Sequence, residues 1–122
     1  MQKLKPIKVG PVEIACPVIL APMTGVSDLP FRKLVKRYGA GLTVTEMVAS
    51  EAMVRATRQC MLKVAWAPEE DPVSMQLVGT DPQIMAEAAK LNEDQGADII
   101  DINMGCPVKK VVNGWAGSAL MR

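Results

Sequence analysis

Short apolar runs alternate with amphipathic stretches along the chain, a rhythm that predicts parallel strands joined by crossover helices. The opening, Ile7-Lys8-Val9 and Val12-Glu13-Ile14 around Gly10-Pro11, alternates apolar and polar positions about a turn pair and predicts a small hairpin. Val18-Ile19-Leu20-Ala21, bounded by Pro17 and Pro22, reads as a strand buried on both faces. Ser27 or Asp28 then caps a helix in which Phe31, Leu34, Val35 and Tyr38 recur at helical spacing. Arg32, Lys33, Lys36 and Arg37 take its other side, a stripe that reads as a solvated face, and Gly39 ends it. Leu42 to Thr45 is a second strand, followed by a weaker helix from Ser50 to Met61. Pro72 to Leu77 is a third strand, and Asp81-Pro82 opens a helix with Ile84, Ala88 and Leu91 on one face, stopped by Gly96. Ile99 to Asn103 is the fourth strand, and Gly117 to Arg122 begins a further helix.

Four strands with helices between them place the chain in the α/β class. They amount to about the first four βα units of a (β/α)8 TIM barrel, whose usual length is about 250 residues. On this reading residues 1–122 form the N-terminal part of one barrel domain, with its remaining strands absent. A doubly wound open sheet uses the same alternation. The barrel is favoured because the unusual residues follow strand ends: Pro22-Met23, Glu46-Met47, Gln76, and Asn103-Met104-Gly105-Cys106-Pro107. In a barrel such ends meet at one mouth.

Composition narrows the chemistry. Of the 122 residues 49% are hydrophobic, enough for a buried core. The apolar runs are far shorter than the roughly 20 residues that span a bilayer, and a cytoplasmic protein is expected. Cys16, Cys60 and Cys106 form no CxxC pair, which argues against a disulfide framework or a zinc site, and no metal is expected. The chain has no histidine, so most hydrolytic triads are excluded from it. With a net charge of +1, any RNA-binding surface has to be a local patch.

The stretch from Asp101 to Val111 is the most informative. A buried strand ends in Asn103, Gly105 allows close backbone approach to a ligand, and Cys106 is held by Pro107. Cysteine is by default a small buried hydrophobe, and Cys16 and Cys60 are read that way. Glu46 and Asp101 lie on or beside buried strands, where they are expected to pair with an interior Arg or Lys. Met23, Met47, Met75 and Met104 lie at or near strand ends, with core filling as their default.

Leu20 to Asp28, Thr45-Glu46-Met47, Gln76 to Gly79, Asp101 to Val111 and Ala116 to Met121 resemble, in order and spacing, the tRNA-dihydrouridine synthases, their bacterial B-type branch above all. That resemblance implies an FMN-binding barrel followed by a small C-terminal helical domain, absent from residues 1–122, in an enzyme that uses NADPH to reduce a uridine of tRNA to 5,6-dihydrouridine. It further implies Pro22, Met23 and Thr24 beside the flavin, and Gln76 on the pyrimidine edge of its ring. Asn103 would help hold the uracil, and Cys106 would deliver a proton to C5 after hydride reaches C6. Lys109 and Lys110, with Arg55 or Arg58, would meet RNA phosphate, both lysine heads turned from the sulfur because a nearby cation favours thiolate. The flavin phosphate and lysine contacts of the family lie beyond residue 122. By itself this length is expected to be inactive and, if stable, to dimerise through an exposed apolar face and free strand edges. Two other readings remain open at this point: a dihydroorotate or dihydropyrimidine dehydrogenase-like flavoenzyme, and a non-catalytic half-barrel.

Overall fold

A computed structural model describes residues 4–122. The hairpin forms as its alternation predicts: β1 (Ile7–Val9) pairs antiparallel with β2 (Val12–Ile14), turning at Gly10 with φ +56°. The rest is an α/β unit around a parallel sheet. β3 (Ile19–Leu20) pairs with β4 (Leu42–Val44), β4 with β6 (Val73–Val78), and β6 with β7 (Ile99–Ile102). A two-residue strand that the pattern does not predict, β5 (Val48–Ala49), continues β4 along the same edge of β6.

The register sorts the side chains. Met75 lies level with Ile100, and Leu77 with Val48 and Ile102. These positions face the helices α2 (Ser50–Val54), α3 (Arg58–Val64) and α4 (Pro82–Asp94), where Met53, Cys60, Val64 and Ala88 complete the core. Alternate residues point to the opposite face. Ser74 and Gln76, with Asp101 level with Gln76, therefore lie on the side away from the helices.

Three expectations need correcting. The strand after Pro17 covers only Ile19–Leu20 and is not buried on both faces, since it lies at the sheet edge with Ile19 exposed. The helix expected over 50–61 is two, broken where Ala56 turns to φ +48° and Thr57 caps the next helix by accepting from Cys60 N.

In α1 (Leu29–Arg37), capped by Asp28, three residues depart from the predicted polar and apolar faces. Leu34 and Tyr38 are 49% and 86% exposed, while Arg32 is fully buried. Arg32 is thus no part of a solvated stripe. Its Nε lies 2.7 Å from Glu70 Oε1, and its other nitrogens donate to the carbonyls of Ser27 (3.0 Å) and Ala65 (2.6 Å). Glu70 also accepts from Thr43 Oγ1 and from the Ala67 amide. A fully hydrogen-bonded guanidinium tolerates burial, which is why pairing overrides hydrophobic periodicity here.

Candidate functional site

The loops that follow the strands converge at one end of the sheet. After β3, Met23 to Ser27 close a turn in which Ser27 Oγ accepts from Met23 N (2.8 Å) and donates to Met23 O (3.1 Å). The loop is tethered twice. Arg32 donates to Ser27 O, and the Gly25 amide donates to the carboxylate of Glu46, which is buried.

Between β4 and β5 the register slips by one. Val44 lies level with Ser74 but Val48 with Leu77, so three residues, Thr45 to Met47, oppose two. This is a β-bulge, a device that re-aims side chains. Thr45 fills the gap it leaves: its amide donates to Ser74 O, and its Oγ1 accepts from Gln76 N at 3.2 Å. Glu46 is thereby turned toward Gly25 and Met47 toward the strand ends. Glu46 and Asp101 therefore find partners other than the expected Arg or Lys: a backbone amide for the first, and Gln76 Nε2 at 2.5 Å for the second.

From Gln76 a hydrogen-bonded line continues. Gln76 Oε1 accepts from Asn103 Nδ2 at 3.0 Å, and Asn103 Oδ1 accepts from the amides of Gly105 (3.2 Å) and Cys106 (3.0 Å). The Cys106 carbonyl accepts from Ser118 N at 3.0 Å. Gly117 makes this possible, since at φ +59° a Cβ there would lie 2.6 Å from Cys106 O.

Cys106 is half-buried and lines a cleft of about 730 Å³ together with Thr24, Met47, Gly79, Lys110 and Ala116. The volume falls within the roughly 300–1,000 Å³ usual for small-molecule sites. Of the residues singled out from sequence, Thr24, Cys106 and Lys110 share this cleft. Pro22 and Met23 precede Thr24 on the same loop, and Gln76 and Asn103 are linked to Cys106 by hydrogen bonds. Lys109 and Lys110 open a short helix, α5 (Lys109–Val112), and both are exposed. Arg55 and Arg58 are exposed at the break between α2 and α3. Met75 is core, and Met104 lines a separate apolar groove with Met85 and Leu120. Cys60 packs against Met53 Sδ, and burial pushes its thiol pKa up.

The pattern that defines the family described as Dihydrouridine synthase matches residues 19–122. The chain belongs to the dihydrouridine synthase family. It is 61% identical over 118 residues to a probable tRNA-dihydrouridine synthase of Rickettsia prowazekii, covering 95% of this chain and 36% of that protein. It is 58% identical over 116 residues to tRNA-dihydrouridine synthase B of Xanthomonas axonopodis pv. citri, covering 95% and 35%. The corresponding protein of Pseudomonas aeruginosa is 50% identical over 116 residues, again covering 95% and 35%. The chain thus spans about a third of the length of these synthases.

Within the dihydrouridine synthase segment, Thr45, Glu46 and Gly117 stand in the motifs that carry the resemblance, yet their bonds are not legible there. A bulge, a tether and a close backbone approach depend on which strands pair. Among the described residues no group of three or more His, Cys, Asp or Glu is arranged to hold a metal, and no helix is long and apolar enough to cross a membrane.

Proposed function

We propose that this chain is the N-terminal part of a (β/α)8 domain that binds FMN, uses NADPH as reductant, and reduces uridine in tRNA to 5,6-dihydrouridine. The observation that carries the reading is Cys106: a half-buried thiol after the fourth principal strand of the sheet, in a cleft shared with the loop after the first. Membership of the dihydrouridine synthase family supports the substrate class.

The residues present fit a flavin ring. The cleft wall is mainly apolar, with Met47, Ala49 and Val78 along it, and flat rings bury well against such a surface. Gln76, its Nε2 held by Asp101, keeps one N–H and one lone pair for a ring edge. Pro22, Met23 and Thr24 would flank the ring from the doubly tethered loop. The chemistry a flavin held there would supply is hydride for C6 of the uracil, with NADPH as the reductant.

The chain's own residues do the rest. The C5–C6 double bond becomes a single bond as C6 gains hydride, and the pair left at C5 takes a proton from Cys106 Sγ, which solvent then restores. A thiol suits this task because it is a weak acid that can give up a proton to a carbanion. The uridine must leave its stack to reach the cleft, where Asn103 would help hold it. Lys110, which lines the cleft, and the exposed Lys109 next to it in sequence are suited to hold phosphate meanwhile.

The test is Cys106→Ala in the full-length protein, assayed for dihydrouridine in unmodified tRNA. Turnover is expected to fall by about 10²–10⁴, the usual contribution of a general acid, while the yellow flavin absorbance persists. Undiminished turnover overturns the assignment.

A further inference from the structure

The line of hydrogen bonds behind Cys106 has a fixed sense. At one end Asp101, when ionised, can only accept; at the other the amides of Gly105 and Cys106 can only donate. Between them stand two carboxamides, each of which could be turned either way. Gln76 must point Nε2 at Asp101, which leaves Oε1 toward Asn103. Asn103 must point Oδ1 at the backbone amides, which leaves Nδ2 toward Gln76. The two ends thus dictate the same arrangement independently, and Gln76 is only 6% exposed, so little water competes for it.

We infer that Asp101, acting through Gln76 and Asn103, is a positioning residue that sets the turn carrying Cys106. The inference rests on the reading of Cys106 as the proton donor, and it adds a role that no contact of Asp101 with substrate or cofactor requires. Asn103 Oδ1 accepts two successive-turn amides and so defines the path from Asn103 to Cys106. Gln76 restrains Asn103 against rotation, and the carboxylate restrains Gln76. Remove the carboxylate, and Gln76 is free to flip. It then presents Nε2 to Asn103 Nδ2, donor against donor, and pushes Asn103 away from the turn. Asn at position 101 can still accept from Gln76 through its amide oxygen, so the sense of the line survives.

The experiment compares Asp101→Leu and Asp101→Asn in the flavin-loaded, full-length protein. Iodoacetamide labelling is read at each cysteine by peptide mass spectrometry, alongside kcat and KM for tRNA. In D101L, Cys106 is expected to label severalfold faster because its turn loosens, while buried Cys60 labels as before. Its kcat falls on the order of a hundredfold, as an ångström-scale misplacement of a reacting group does, with KM within about twofold. D101N restores both values to near wild type. Unchanged Cys106 labelling and kcat in D101L overturn the proposal. So does faster labelling of Cys60 and Cys106 together, or loss in D101N equal to that in D101L, because either marks general destabilisation rather than positioning. Labelling needs no turnover, so this result stands apart from the Cys106→Ala assay: a wrong acid shows there, a wrong relay here.

Discussion

Gly117 illustrates how one missing Cβ shapes the site. Its φ of +59° disfavours any other residue, and the space a Cβ would need is held by Cys106 O and by Val111 Cγ1 at 2.8 Å. Backbone cannot yield as a side-chain tip can, so Gly117→Ala has to displace the Cys106 turn. The left-handed conformation alone costs about 1–2 kcal/mol, and the clash adds to it. Urea unfolding of G117A is expected to show a loss of about 2–3 kcal/mol in total, and, on the proposed function, tRNA turnover to drop with it. Glu46 works by the opposite means. Its carboxylate supplies an acceptor to a loop amide that no strand could satisfy at that point.

Among the elements, α1 is anchored by the buried Arg32–Glu70 pair. Besides bonding each other, Arg32 and Glu70 reach four further partners between them, Ser27, Ala65, Thr43 and Ala67. Removing one member leaves the other charge buried and unmatched. Arg32→Met is therefore expected to cost about 3–5 kcal/mol. Glu70→Leu should cost a comparable amount, and the double variant distinctly less than the sum, which a double-mutant cycle in urea measures. Strict additivity would show that the two side chains act independently. Because Arg32 also fixes Ser27, the single variants should loosen the turn from Met23 to Ser27 and, on the proposed function, weaken flavin retention.

For the molecule as a whole, Cys60 and Lys36 each make stability depend on pH in the alkaline range. Burial raises the Cys60 thiol above its ordinary 9.0, against a smaller opposing pull from Lys63. The unfolded chain then loses this proton first, and the native state binds more protons from pH 9.0 up to the native pKa. Stability falls with rising pH across that window. Burial lowers Lys36 from 10.5, an effect opposed by Asp71 and Glu70, so below 10.5 the unfolded chain binds more protons and stability rises with pH. The two effects oppose each other. In Cys60→Ala the loss of unfolding free energy between pH 8 and pH 10 is expected to be smaller than in the parent, whatever constant offset the cavity introduces. An equal loss would show that other groups govern the alkaline limb.

The residues by themselves settled a good deal: the hairpin, the four principal strands, the helix starts at Asp28 and Asp81, and the family. These are properties of local spacing, caps and motif order, each confined to a few neighbouring residues. The tertiary structure decided what depends on partners far apart in the chain. Arg32 is basic in a stripe of basic residues, and only Glu70, thirty-eight positions on, makes it a core residue. The slip at Thr45 exists only because β4 and β5 both pair with β6. Asp101 reads as an ion-pair partner until the register sets it beside Gln76. A buried polar group takes whichever partner the fold brings within reach, and periodicity carries no record of that.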